Sequence, residues 1–435
     1  MPFRLDAAAA DFRESFEQLL HMKRETAEDV DQIVRDIIAD VIARGDEALI
    51  DYSRRFDRIE LTPETLRITR EEIEAATAAC SNEQIAALEL ARDRIVFFHE
   101  KQRPSDLRFT DEAGVELGWR WTAVESAGLY VPGGTASYPS SVLMNAIPAK
   151  VAGVERLVMV APAPDGKLSP LVLAAAHIAG VDEIYRVGGA QAVAALAYGT
   201  ETIKPVAKIV GPGNAFVAAA KRRVFGQCGI DMIAGPSEVL ILADKTARAD
   251  WIAIDLLAQA EHDTAAQSIL ITDDPRLADA VEAAVAARLE TLPRRAIAEK
   301  SWSELGAIIL VEKLENAVPL ADRIAAEHLE IMAVNAEELA AGVRNAGAVF
   351  IGAFTPEAIG DYVGGSNHVL PTARSARFSS GLNVLDFMKR TSLLKCSPES
   401  LRVIGPAAVV LGKSERLDAH ALSVAMRLGS GLGQG

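Results

Sequence analysis

What most constrains this chain is an alternation, beginning after Ala127, of short β-branched runs with alanine-rich helical stretches. A first series reads GLYVPGG, RLVMVAP, EIYRVGG and AKIVGPG, with Gly or Pro at the joints. A second starts near Pro236 with EVLILAD, QSILITDD, GAIILVEK, LEIMAV and GAVFIGA, interleaved with helical segments such as Asp250 to Ala260. Strands separated by helices return parallel to one another, so the pattern predicts two α/β units built on parallel sheets. The two units share architecture without residue-level self-similarity that would establish a repeat.

Flanking regions read differently. From Glu25 to about Gln102 the apolar residues Val30, Ile33, Ile37, Ile38 and Ile42 recur at helical spacing, and Gly45 is a stop signal. Val115 to Val124 alternates and predicts a strand. From Asp361 a Gly/Ser-rich loop, DYVGGSNHVLPT, breaks the βα rhythm, and Leu417 to Leu428 predicts a terminal helix suited to docking on a partner subunit.

At 435 residues the chain exceeds a single core, and 50% hydrophobic with 24% charged residues is an ordinary globular balance. The net charge of −15 disfavours a nucleic-acid backbone or an anionic membrane surface as partner. The start, MPFRLDAAAADFRESFEQLL, lacks a continuous apolar stretch, and no run approaches the roughly 18 apolar residues of a membrane span, so a cytoplasmic location is expected. Cys80, Cys228 and Cys396 are far apart with no CxxC pair, so any metal must use nitrogen and oxygen ligands.

Of the seven histidines, His262, His328, His368 and His420 lie in the second half beside carboxylates or amides, whereas His21, His99 and His177 sit in helical patterns. In LLAQAEHD, Gln259 and His262 leave one helix face a turn apart and could share a metal ion, although alone the pair reads first as a packing or surface feature, glutamine being a poor ligand. In RIAAEHLEIMAV, Glu327 and His328 fall at a helix-to-strand junction, where a carboxyl and an imidazole can be tuned separately as acid and base; a solvated charged pair is the plainer alternative. Asp361 opens the glycine-rich loop, where an exposed carboxylate suits a cation. Glu415 and His420 are five apart near the last helix. GPGN at Gly211 to Asn214 follows a strand and precedes a helix, but Phe216 stands where a dinucleotide fingerprint wants its third glycine. Tyr130 and Gln191 also lie at the carboxyl ends of strands.

Taken in order, GLYVPGG, VGGAQAVAALAYGT, KIVGPGN, GIDMIAGPSEVLILAD, DLLAQAEHD, AAEHLEI, GDYVGGSNHVLPT and ERLDAH resemble the histidinol dehydrogenase family from about residue 25 to the end. The resemblance implies two incomplete Rossmann-like parallel-sheet domains plus small helical N- and C-terminal domains. It divides the chain into an arm at 1–26, a first α/β domain split between 27–129 and 237–381, an NAD-binding domain at 130–236, and a C-terminal region at 382–435. It implies one zinc ion per subunit on Gln259, His262, Asp361 and His420, and Glu327 and His328 as water activator and proton exchanger. Substrate contacts are implied for Ser237, Gln259, His262, His328, Asp361, Glu415 and His420, and NAD contacts for Tyr130, Gln191 and Asn214. It further implies a homodimer whose C-terminal tails cross, so that Glu415 and His420 complete the other subunit's site.

The implied reaction is the NAD-dependent oxidation of L-histidinol through L-histidinal to L-histidine, with zinc orienting the substrate. His368 matches the family motif in a supporting role. Gly364 and Arg416 depart from the family pattern without removing a ligand, and Arg416 bears on the charge of Glu415. Cys228 could instead form a thiohemiacetal but reads better as a small buried residue. A family paralogue acting on another polar alcohol and a zinc hydrolase are the rival readings. The hydrolase leaves Tyr130, Gln191 and Asn214 unexplained.

Overall fold

The structure, a computed structural model, describes residues 2–22, 28–133 and 138–429. Glu25, Gly134 and the expected boundary at 26/27 lie outside the described residues. In chain order the strands are β1 (Phe3–Asp6), β2 (Leu107–Thr110), β3 (Glu116–Ala123), β4 (Ser126–Tyr130), β5 (Arg156–Val160), β6 (Glu183–Tyr185) and β7 (Lys208–Val210). These are followed by β8 (Gly229–Ile230), β9 (Glu238–Ala243), β10 (Gln267–Thr272), β11 (Ala307–Leu310), β12 (His328–Met332), β13 (Ala348–Ile351) and β14 (Met388–Lys395).

Both series of apolar runs form parallel sheets, as the alternation predicts. The first orders as β6-β5-β4-β7-β8 and the second as β1-β11-β10-β9-β12-β13. Numbered from its own first strand, each series has the order 3-2-1-4-5, so the direction of winding reverses between β4 and β7 and again between β9 and β12.

Strands covered by helices on both faces must be apolar on both, which is why β9 and β10 are buried along their whole length. Successive side chains serve two cores. Leu240, Leu242, Ile269 and Ile271 pack on one face with Phe16 and Leu19, while Val239, Ile241 and Leu270 pack on the other with Leu256, Val281 and Trp302.

The chain divides into two compact units, Met1–Gln102 with Glu125–Phe387, and Arg103–Val124 with Met388–Gly435. The smaller holds the antiparallel sheet β14-β3-β2 and the helices Pro398–Ser414 and Asp418–Arg427. The strand expected at Val115 to Val124 and the terminal helix are therefore both present, with the C-terminal helices sharing their unit with a sheet.

Two placements differ from the expected division. Residues 3–6, expected within a helical arm, form the edge strand β1 on β11, and only Phe12–His21 is helical. The helix Glu28–Arg44, grouped in sequence with the later α/β unit, buries Val34, Ile37, Ile38 and Val41 against the five-stranded sheet's core with Val158, Tyr185 and Val193. Ile33 and Ile42 face outward instead, because the buried stripe is centred one residue away from the one read in sequence. Among the described residues no helix is long and apolar enough to cross a membrane.

Candidate active site

A cavity of about 540 Å3 lies between the two sheets and takes its walls from opposite edges of them. Pro132, Gly213, Asn214 and Met232 come from segments that leave the carboxyl ends of β4, β7 and β8. Ser237 leads into β9, and Glu327 and His328 open β12. His262, Asp361 and His368 complete the lining.

The register of β12 places His328 beside Val239 of β9 and Ala348 of β13, so its side chain emerges at the amino edge of the sheet. Its Nδ1 lies 3.2 Å from the carbonyl oxygen of Glu238. A carbonyl only accepts, so Nδ1 carries the proton and Nε2 keeps its lone pair. That Nε2 is buried, has no hydrogen-bond partner among the described residues, and stands 3.9 Å from a carboxylate oxygen of Asp361. Burial pulls the imidazole pKa down to about 4, against the opposing pull of Asp361, so near neutral pH the ring is uncharged with its lone pair on Nε2.

Glu327 is fully enclosed and accepts hydrogen bonds from the Glu238 N–H, at 3.1 Å, and from the Ser237 hydroxyl. Burial first, then the charges of Glu238 and Asp361, push its carboxyl well above the usual carboxylate range. An approaching cation reverses part of that shift.

Asp361 sits on the short helix Glu357–Tyr362. His368 donates from Nδ1 to the Asp361 carbonyl (3.0 Å), leaving Nε2 to accept from Ser141 Oγ (3.2 Å). It thereby ties the Asp361 segment to the helix Pro139–Ala152. Gln259 and His262 close the helix Ala249–Ala260, and their polar side-chain atoms converge to 3.3 Å, while Gln259 Oε1 is buried without a partner among the described residues.

A family model described as histidinol dehydrogenase matches residues 20–428. The chain belongs to the histidinol dehydrogenase family. It is 69% identical to the histidinol dehydrogenase of Bradyrhizobium diazoefficiens, covering 98% of this chain and 99% of that one, and 67% identical to that of Brucella suis, covering 96% and 97%. The crystal structure of histidinol dehydrogenase from Elizabethkingia anophelis superposes with a TM-score of 0.94 at 35% identity, over 99% of this chain and 98% of that one.

Within this family member the expected residues separate into three groups. Asn214, Ser237, His262, Glu327, His328 and Asp361 meet at the cavity, with Gln259 touching His262. Asn214 caps the helix Ala215–Val224, its Oδ1 accepting from the N–H groups of Phe216 and Val217. Tyr130 and Gln191 are buried and do not line the cavity; the Tyr130 hydroxyl accepts from the Gly189 N–H at 3.0 Å, which anchors the start of Gln191's helix. Glu415 and His420 are exposed on the smaller unit.

A nitrogen- and oxygen-bound cation fits the larger unit's residues. Gln259, which touches His262 from behind the cavity wall, has a buried oxygen without a partner among the described residues, and His262 and Asp361 line the cavity, an N/O set suited to zinc. Among the described residues no group of three or more His, Cys, Asp or Glu is gathered to hold a metal, because one of these donors is an amide and His420 belongs to the other unit.

Two buried carboxyls next to the site escaped the sequence reading. Glu357 Oε2 lies 3.6 Å from His328 Nδ1, and the Glu357 N–H donates to Glu330 Oε1 at 2.6 Å. Burial and neighbouring acids hold Glu357 well above the normal range and push Glu330 up to about 8. The helical spacing of Glu357 and Asp361 was the available signal.

Proposed function

We propose that this chain is an L-histidinol dehydrogenase of the cytoplasm, carrying L-histidinol through L-histidinal to L-histidine. The observation that carries the reading is the neutral, unpartnered Nε2 of His328 facing Asp361 in a cavity shared with Glu327 and His262.

Gln259, His262, Asp361 and the partner subunit's His420 would hold one zinc ion. When bound, zinc fixes the amine and imidazole of the substrate and NAD accepts hydride. His328 Nε2 takes the hydroxyl proton as hydride leaves the carbinol carbon, forming the aldehyde. Glu327, brought to its ionised form by the positive charge the site would gain, takes a proton from the water that adds to the aldehyde carbon. As the water adds, His328 returns its proton to the former carbonyl oxygen to give the hydrate, and it takes that proton back as the hydrate gives up its second hydride, which a second NAD would accept. Two NAD are reduced for each histidine formed.

Ser237 keeps Glu327 oriented through its hydroxyl. Asn214, at the mouth of a helix amino terminus, supports the cofactor, with Tyr130 and Gln191 shaping the strand ends behind it. The carboxylate of Glu415 suits a cationic amino alcohol, and its exposure with His420 agrees with a homodimer in which the tails cross.

Purified zinc-loaded protein with NAD and L-histidinol should yield NADH and histidine at two to one. Absence of NADH overturns the reading, and NADH with a different alcohol alone points to a paralogous substrate. Mixing His420→Asn with Glu327→Gln protein after subunit exchange should restore part of the activity; no restoration overturns the crossed-tail arrangement.

A further inference from the structure

The residues Pro212, Gly213 and Asn214, which follow Gly211, and the segment Met232–Ser237 form parts of the cavity wall, one leaving β7 and the other leaving β8. At their common root is a buried ion pair. Lys221, on the helix Ala215–Val224, and Asp231, just after β8, have side chains only 2% and 1% exposed and are in direct contact.

Their remaining polar atoms are all turned onto backbone. Lys221 Nζ donates to the carbonyl of Gly211 at 2.9 Å, and Asp231 Oδ2 accepts from the N–H of that same glycine at 2.8 Å. Asp231 Oδ1 accepts from the Met232 N–H at 2.6 Å. Both backbone groups of Gly211 are thus gripped by one pair, and the first residue of the second segment is held by the same carboxylate.

Gly211 needs that grip. Its φ is +108°, and a Cβ there would lie 2.2 Å from the Tyr130 carbonyl oxygen, so this peptide runs against β4 in a conformation that only glycine adopts readily. Burying a lysine and an aspartate is costly, and apolar residues of similar volume often serve packing equally well. Packing therefore does not account for the pair, whereas fixing a strained glycine at the winding reversal between β4 and β7 does.

We infer that Lys221 and Asp231 are positioning residues for the dinucleotide, setting the Gly211–Asn214 backbone and, through Met232, the neighbouring wall. The inference rests on the cofactor reading above. It does not extend to Gln259, His262 and Asp361, which hang from other elements.

The test uses full-length, zinc-loaded protein carrying Lys221→Met, Asp231→Asn or both. Either single change leaves a buried group without its counter-charge and can compromise folding, so the neutral double variant is the decisive protein. In it, hydrogen exchange of peptides spanning 211–214 and 232–237 should quicken at least tenfold while peptides of β9 and β10 do not change. NAD affinity by calorimetry should fall at least tenfold, with histidinol affinity within twofold of wild type. KM for NAD should rise more than kcat falls. Unchanged exchange and NAD affinity in a folded double variant overturn the inference. Wild-type protein that binds no NAD overturns the cofactor reading itself, while the exchange measurement still judges the clamp.

Discussion

The two parallel sheets share a strand order yet present opposite edges to one cavity, and the chemistry at each edge differs accordingly. The five-stranded sheet contributes its carboxyl edge, where β7 is followed by the amino terminus of the helix Ala215–Val224. Although Asn214 caps the first N–H groups, the positive end of the helix dipole favours an anion there. The six-stranded sheet contributes its amino edge, which follows helix carboxyl termini. Ala249–Ala260 ends at Gln259 and His262, and Ala317–Ile324 ends just before Glu327. Carbonyl ends and carboxylates favour cations, such as the metal ion and the amine of the proposed reaction. Equal topology has thus been used for opposite charges by choosing opposite edges.

The sharpest way to break this division is to change one edge and measure ligands of the other. His328→Asn should lower kcat by about a thousandfold, within the span usual for a lost general base, while NAD affinity stays within about twofold. Equal losses in both would mean that the edges are not separable. Gly211→Ala is the converse. Strain of about 1–3 kcal/mol, from a disfavoured φ and the approach to Tyr130, should raise KM for NAD about tenfold or more and leave zinc content intact by metal analysis.

A smaller effect concerns the buried acids of the amino edge. The folded-state pKa of Glu330, about 8, exceeds its ordinary 4.5, so the folded protein holds a proton that the unfolded chain releases, and stability declines as pH rises through that window. Glu330→Gln should therefore raise the melting temperature by about 2 °C or more at pH 8 and hardly at all at pH 4.5. A gain independent of pH would show that the acid is not held neutral. His328 has the opposite sense. Its pKa of about 4 lies below the ordinary 6.5, so the unfolded chain gains a proton first and stability declines as pH falls through that range. The least effect is expected at Cys228, whose thiol is buried and pushed up to about 11. Cys228→Ser should leave turnover within about twofold, whereas a loss of several orders of magnitude would replace water addition by a thiohemiacetal.

The strand runs were legible because double-sided burial demands unbroken apolar stretches, and β9 and β10 match EVLILAD and QSILITDD closely. Glu327 and His328 were legible as a junction pair because a helical period passes into strand there. Sequence periodicity identified the helix Glu28–Arg44 but not its partner sheet, since an amphipathic stripe does not name the surface that covers it. It also missed β1, a four-residue edge strand too short to alternate visibly. Glu330 and Glu357 were not singled out, because their burial comes from long-range packing. The Lys221–Asp231 pair was hidden likewise, since its partners meet across a helix and a strand.

The edge strand β1 also bears on how the protein is made. Phe3 pairs with Ala307, so β1 leaves the ribosome about three hundred residues ahead of its neighbour and waits for it on the order of tens of seconds at ordinary elongation rates. During that interval β10 and β9 can assemble without it, and β11, when it arrives, exposes a bare flank open to any other extended chain. Arg4, which reaches Asp279 and Glu282 on the neighbouring helix, gives the late-docking strand a charged latch and a reason to seat in only one register. Loss of these few residues would thus show first as aggregation of newly made protein, before any change in the chemistry of the finished one.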